Sequence, residues 1–275
     1  MLIDTHCHLD AAEFGDTQAD IVREAGAAGV NRIVIPSVAC NNFEAVRKLC
    51  AQYPDCAPAY GIHPMYTDDA TPGDLDVLRE YLEQHKPVAV GEVGLDFFIP
   101  HYDRARQEHF FAEQLRLARD FDLPVLLHIR RAQDTILKHL RHFYPRVAPA
   151  SASSGQASTS LRTGIAHAFS GSRQQADEFI KLGFKLGFGG AMTYTRATRL
   201  RQLATTLPLD SIVLETDAPD IPPDFLERGL PNEPKYLPGI AQTLAELRGM
   251  APDEIARATT ANALAVMPAL RPPTI

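Results

Sequence analysis

Short apolar runs recur along this chain, separated by stretches whose apolar positions follow a helical period. The runs LIDTHCH, NRIVIPSV, APAYGIH, PVAVGEVG, LPVLLHI, GIAHAFS, FKLGFGG and SIVLETD are rich in β-branched residues or bounded by Gly and Pro, and read as strands. An amphipathic stretch follows each: 20–28, 42–52, 74–84, 104–121, 132–143, 172–182, 197–207 and 237–247. Strict alternation of strand and helix predicts a parallel sheet. Eight repeats match a closed (β/α)8 TIM barrel, whose usual size is ~250 residues, so residues 1–275 read as a single α/β domain. A doubly wound open sheet is the alternative, but no G-x-G-x-x-G follows the first strand. One stretch breaks the rhythm. VAPASASSGQASTSLR, residues 147–162, is rich in Ala and Ser, has no hydrophobic period, and reads as a flexible insert. It falls between a helix and the next strand, which in a barrel is the face opposite the chemistry.

Composition narrows the reading a little. With 45% hydrophobic and 22% charged residues the chain can bury a large core. A net charge of −7 argues against a generally basic coat, so a polyanionic substrate needs a local basic or metal-bearing site. No apolar run is long enough to span a bilayer and no secretory signal pattern is visible. Cys7, Cys40, Cys50 and Cys56 lack a zinc-type pairing, so free thiols and a cytoplasmic location are expected. Nothing demands an oligomer, and a monomer is expected.

The candidate chemistry lies where strands end. His6 and His8 flank Cys7, and positions two apart along a strand share a face. In a barrel that face can be the interior, which makes the two imidazoles a ready pair of metal ligands. Glu92 closes the fourth strand run, His128 the fifth, His167 lies in the sixth and Asp217 ends the eighth. Each alone could be a satisfied polar group capping the core. Together they come from the ends of five strands, as barrel catalytic residues do. Six nitrogen and oxygen donors exceed one tetrahedral zinc and suit two divalent ions with a carboxylate between them. Without thiolate, Zn, Mn, Co, Fe and Mg all remain open.

DTHCHLD, GIHP, GEVGLDF, LLHIRRA, HAFSG and LETDAPD, in that order, resemble the motifs of the TatD-type metal-dependent deoxyribonucleases, a family of amidohydrolase-like barrels. The run FSGSRQQADEFIKLGFKLGFGGAMTYTRA is similar to the branch typified by bacterial YjjV. The resemblance covers nearly the whole chain and departs from it chiefly at the Ser/Ala-rich insert. It implies one ion on His6, His8 and Asp217, a second on His128 and His167, and Glu92 bridging them. It also implies that Asp217 takes the proton of the attacking water. NEPKYL resembles the family's substrate-facing segment, which makes Asn232, Glu233 and Tyr236 substrate contacts by carry-over.

Further residues belong to loops at the mouth. His63, in GIHPMY, can contact a phosphate or leaving oxygen, or can simply cap a turn beside Pro64. Arg130 and Arg131 follow a ligand strand and suit phosphate, though a solvated helix start uses the same residues. TYTRATRLR, with Tyr194, Arg196, Arg199 and Arg201, combines a ring with positive charge as single-strand grooves do, and equally fits an exposed basic helix. Asp96 can orient a ligand from behind.

The expected activity is metal-dependent cleavage of DNA phosphodiesters, as a 3′→5′ exonuclease on single strands. The alternative uses the same ions on carbon, as an amide, ester or lactone hydrolase such as a deacylase, because polarising a carbonyl and a phosphoryl needs the same Lewis acids. A non-enzymatic metal- or partner-binding barrel predicts a missing ligand or water-activating carboxylate, and neither is missing.

Overall fold

A computed structural model describes residues 1–143 and 163–271. The expected insert at 147–162 lies outside the described residues. Eight parallel strands run in chain order around one sheet: β1 Leu2–Asp4, β2 Val30–Pro36, β3 Cys56–Tyr60, β4 Ala89–Asp96, β5 Val125–Arg130, β6 Gly164–Ala166, β7 Lys185–Phe188 and β8 Ile212–Leu214. The circle is completed between β8 and β1. There the Thr5 N–H donates to the Leu214 carbonyl at 3.2 Å, and Cys7 forms a parallel bridge with Ala218. Helices follow the strands: α1 Gln18–Ala27, α2 Phe43–Gln52, α3 Pro72–His85, α4 Arg104–Asp120, α5 Gln133–Phe143, α6 Arg173–Lys181, α7 Thr198–Thr206 and α8 Leu237–Arg248. The barrel expected from the alternation is therefore the fold.

Local chemistry starts and stops these helices. Asp103 accepts from the Arg106 N–H at the start of α4, and at α6 Ser172 and Gln175 cap one another's backbone reciprocally. Gly249, in the left-handed region at φ 61°, ends α8.

A ninth helix, α9 Pro252–Val266, was not expected from the apolar period. It has a structural task. Ile3, Val34, Ala59, Ala89, Leu126, Ile165 and Val213, one from each of seven strands, pack together with Ala263, Val266, Met267 and Leu270. This cluster fills the barrel below the site, and α9 closes that end. The Asn262 amide fixes the helix to the start of β8 by donating to the Leu209 and Ile212 carbonyls at 2.8 and 2.7 Å. A larger apolar core lies between strands and helices and contains the rings of Phe43, Tyr60, Phe111, Phe179 and Phe184. All four cysteines are free thiols. Among the described residues no helix is long and apolar enough to cross a membrane.

Candidate metal centre

The interior cluster dictates where the polar side chains go. Leu126, Ile165 and Val213 face inward, so His128, His167 and Glu215, each two residues further on, face inward above them. β1 ends at Asp4 rather than running to His8, because the Asp4 carboxylate accepts from the His6 N–H at 3.3 Å and from the Thr216 N–H at 2.9 Å. The alternation nevertheless persists. Cys7 lies in the helix-facing core, while His6 and His8 reach the interior. Glu92 sits midway along β4 rather than at its end. The register of β4 shifts between Val90 and Val93, which brings Glu92 inward alongside Gly91, whose Cα hydrogen faces Leu126. Asp217 lies past β8 in the left-handed region at φ 61°, and its N–H donates to the His6 carbonyl at 2.9 Å.

The four candidate histidines, with His63, gather around Glu92, which is 2% exposed, and Asp217 joins them through the histidines. Glu92 Oε2 lies 3.1 Å from His6 Nε2 and 3.4 Å from His8 Nε2. Its Oε1 lies 2.7 Å from His128 Nδ1, 3.5 Å from His63 Nε2 and 3.6 Å from His167 Nε2. Asp217 Oδ1 stands 3.7 Å from His6 Nε2, 3.9 Å from His8 Nε2 and 3.8 Å from His167 Nε2. The two oxygens of one buried carboxylate thus face different imidazoles, Oε2 toward His6 and His8 and Oε1 toward His128, His63 and His167, with the His6 and His167 rings stacked 3.8 Å apart between them.

The far nitrogens of these rings sort the histidines by role. A metal-bound imidazole donates its other N–H to an acceptor, often a carboxylate. His128 meets this pattern, with Nε2 3.2 Å from Asp96 Oδ2. His167 Nδ1 lies 3.3 Å from Glu215 Oε1, a close charge contact whose angle makes no hydrogen bond. His63 does the reverse. Its Nδ1 accepts from the Met65 N–H at 3.2 Å, which leaves the proton of the neutral ring on Nε2, facing the cluster. His63 is therefore built as a donor into the site, although its ring lies within ligand distance of Glu92 and His128.

Glu215 was not singled out from the sequence. The signal is its place two residues before Asp217, on the same inward face. It is 1% exposed, accepts from the Ala168 N–H at 2.5 Å, and fits only because Gly187 faces it. A Cβ on Gly187 would stand 2.2 Å from Glu215 Oε2.

Electrostatics favours cations here. Burial opposes protonation of His8, yet Glu92 and Asp217 outweigh it and push the ring up to about 9. Burial likewise opposes charge on His167, but Asp217, Glu215 and Glu92 push it up to about 10. Burial raises the Asp217 carboxyl to about 6. For Glu92 burial also acts upward, but the surrounding imidazoles hold it well below the usual carboxylate range. Four buried or nearly buried carboxylates, Glu92, Asp96, Asp217 and Glu215, thus demand positive charge, which divalent ions supply as well as protons do. The donor atoms fit such ions. His6, His8 and Asp217 bring ligand atoms within 4.8 Å of one another, as do His6, Glu92 and His167, and His128 Nδ1 lies 2.7 Å from Glu92 Oε1. These nitrogen and oxygen donors without thiolate suit Zn, Mn, Co, Fe or Mg.

The centre opens into a cavity of about 850 Å³, which His8, His63, Glu92, His128, His167 and Asp217 line together with Tyr66 and Arg130. The remaining sequence candidates lie elsewhere. Asn232 is fully buried and not exposed to a substrate. Its amide donates to the Thr216, Asp220 and Ile221 carbonyls at 2.8, 3.0 and 3.2 Å, and its Oδ1 accepts from the Glu233 N–H. It fixes the loop that carries Asp217. Tyr236 packs near Phe225 on the flank, outside the cavity wall, and Glu233 pairs with Lys235. The Tyr194 hydroxyl donates to the Pro222 carbonyl at 3.1 Å, and Arg196 lies 4.9 Å over its ring. Arg201 donates to the Met192 and Thr193 carbonyls, and Arg199 to the Ser170 carbonyl. Arg196 and Arg199 line a smaller cleft of about 270 Å³ that adjoins the main one through Ser170 and Leu200.

A closed parallel barrel with buried histidines and carboxylates converging at its C-terminal mouth defines a metal-dependent hydrolase. The chain belongs to the TatD family, for the model of the TatD related DNases matches residues 3–268. It is 42% identical over 264 residues to the uncharacterized metal-dependent hydrolase YjjV of Escherichia coli (strain K12), covering 94% of this chain and 95% of that protein. The likeness to the YjjV branch expected from the FSGSRQ run is thus found. It is also 31% identical over 268 residues to the 3′-5′ ssDNA/RNA exonuclease TatD of Salmonella typhimurium, covering 95% of this chain and 97% of that one. The crystal structure of YjjV from E. coli K12 matches this fold with a TM-score of 0.88 at 39% identity, over 97% of this chain and 98% of that chain.

Proposed function

We propose that this hydrolase cleaves phosphodiester bonds of DNA, acting as a 3′→5′ exonuclease on single strands with two divalent ions. The observation that carries the reading is the split environment of Glu92, with Oε2 toward His6 and His8 and Oε1 toward His128, His63 and His167. A carboxylate so placed is suited to lie between two ions. When bound, such a pair lowers the pKa of a water and offsets negative charge on phosphoryl oxygens. His6, His8 and Asp217 would hold one ion, and His128 and His167 the other. Asp217, partly open to the cavity, is placed to accept the water's proton. His63, whose Nε2–H faces the cluster, would donate to the leaving oxygen. Arg130 offers an exposed guanidinium to a neighbouring phosphate. The family match and the activity named for the Salmonella relative favour nucleic acid over a carbon centre.

The test is a comparison on purified protein reconstituted with a defined divalent metal. Single-stranded DNA labelled at either end, duplex DNA and RNA are set beside a panel of amides, esters and lactones. Metal-dependent release of mononucleotides from 3′ ends is expected, with single-stranded DNA preferred. Efficient turnover of an amide or lactone with nucleic acid left intact would overturn the reading.

A further inference from the structure

The rim of the site carries exposed rings on the loops that follow β3 and β4. Six large hydrophobic side chains are exposed among the described residues: Met1, Met65, Tyr66, Phe98, Phe225 and Leu230. All but Met1 lie in loops that leave the C-terminal ends of β3, β4 and β8, on the face that holds the Glu92 cluster. Apolar groups gathered on one exposed face mark a recognition surface.

On the β3–β5 side this surface is ordered. Tyr66 is 43% exposed and lines the cavity, with its ring 6.3 Å from that of His63. Arg130 lines the same cavity and sets its guanidinium 3.8 Å from the ring centre of Phe98, which is 46% exposed. Arg131 lies 4.5 Å from the same ring. One ring stands beside His63, and a second carries two guanidinium groups, one of which lines the cavity. The Tyr194 side differs in that its hydroxyl is engaged by the Pro222 carbonyl; neither Tyr194 nor Phe98 lines the cavity itself, but Phe98 is joined to it through Arg130, which does.

We propose that Tyr66 and Phe98 are the stacking platform for the terminal nucleobases of a single-stranded nucleic acid, with Arg130 and Arg131 meeting the flanking phosphates. The proposal rests on the reading of the centre as an exonuclease of single strands. Charge complementarity selects this occupant. A protein or membrane partner needs a continuous apolar face, whereas interleaved rings and guanidinium groups match alternating bases and phosphates. The stack also serves the chemistry. A base held on Tyr66, beside His63, places the adjoining phosphodiester next to the histidine cluster.

The test compares wild type with Tyr66→Ala, Phe98→Ala and Phe98→Trp, all metal-loaded. Substrates are a single-stranded oligonucleotide, the same strand with its two 3′-terminal nucleotides abasic, and bis(p-nitrophenyl) phosphate. Base stacking of ~1–3 kcal/mol corresponds to about 5- to 150-fold, so each Ala variant is expected to raise KM for the normal strand by that factor relative to the small diester. Wild type should lose the product of the two factors on the doubly abasic strand, each Ala variant should lose there only the factor of the ring it retains, and Phe98→Trp should restore the preference. Unchanged KM on the normal strand, or an equal loss on the small diester, would overturn the platform while leaving the exonuclease intact. A wild type that neither binds nor cleaves single strands would overturn both.

Discussion

Asn232→Ala separates a substrate contact from a structural tie. Carried over from a motif, Asn232 reads as substrate-facing; in the fold it is buried, and its amide satisfies carbonyls of Thr216, Asp220 and Ile221 while its oxygen accepts from the Glu233 N–H. Two amide hydrogens and one accepted bond amount to about three hydrogen bonds, each worth ~1 kcal/mol net. Alanine removes them and leaves buried carbonyls unpaired, so a loss of about 3 kcal/mol is expected. For a chain of this size that lowers the thermal midpoint by roughly 6 °C or more, at ~2 °C per kcal/mol. Because the loop anchors Asp217, turnover should fall with it, whereas KM for a single strand should change little in the protein that remains folded. Thermal and urea unfolding at saturating metal, alongside steady-state kinetics, read both quantities. An unchanged midpoint with KM raised tenfold would refute the structural assignment.

Three other substitutions probe the site. Glu215→Gln keeps the shape beside Gly187 but removes the charge facing His167, and metal affinity measured by titration calorimetry should weaken ~10–100-fold with the fold preserved; unaltered affinity would remove Glu215 from the account. Asp217→Asn keeps a coordinating oxygen but not a base, so metal analysis should still find tightly bound ion while turnover drops ~10²–10⁴-fold; near-normal turnover would mean that another group takes the proton. Arg196→Ala, in the cleft adjoining the centre, should weaken processing of single-stranded DNA more than of a small diester and flatten its salt dependence, and equal losses would place Arg196 in a structural role.

The barrel was legible because eight strand runs and the helices after them keep their periods, and the convergence of five strand ends exposed the centre. What escaped has physical causes. The buried side of α9 holds Ile255, Thr259, Thr260, Asn262, Ala263 and Val266, so half of it is polar and no apolar stripe marks it. Asp4 and Glu215 are buried carboxylates whose partners, Thr216 and Ala168, stand 212 and 47 residues away. Asn232 and Tyr194 look available in a polar segment, and only the fold shows which carbonyls they already serve. Nothing in the apolar pattern marks Tyr66 and Phe98, whose exposure is set by the fold.

The central claim is that Glu92 holds two ions together, and metal stoichiometry tests it most directly. Wild type and Glu92→Ala are saturated with one divalent metal, freed of loose ion by gel filtration, and analysed by mass spectrometry of the metal against protein concentration. Two ions per wild-type chain are expected, with both depleted in Glu92→Ala because each oxygen serves a different group of histidines. A single ion per wild-type chain, or two retained by Glu92→Ala, would contradict the account.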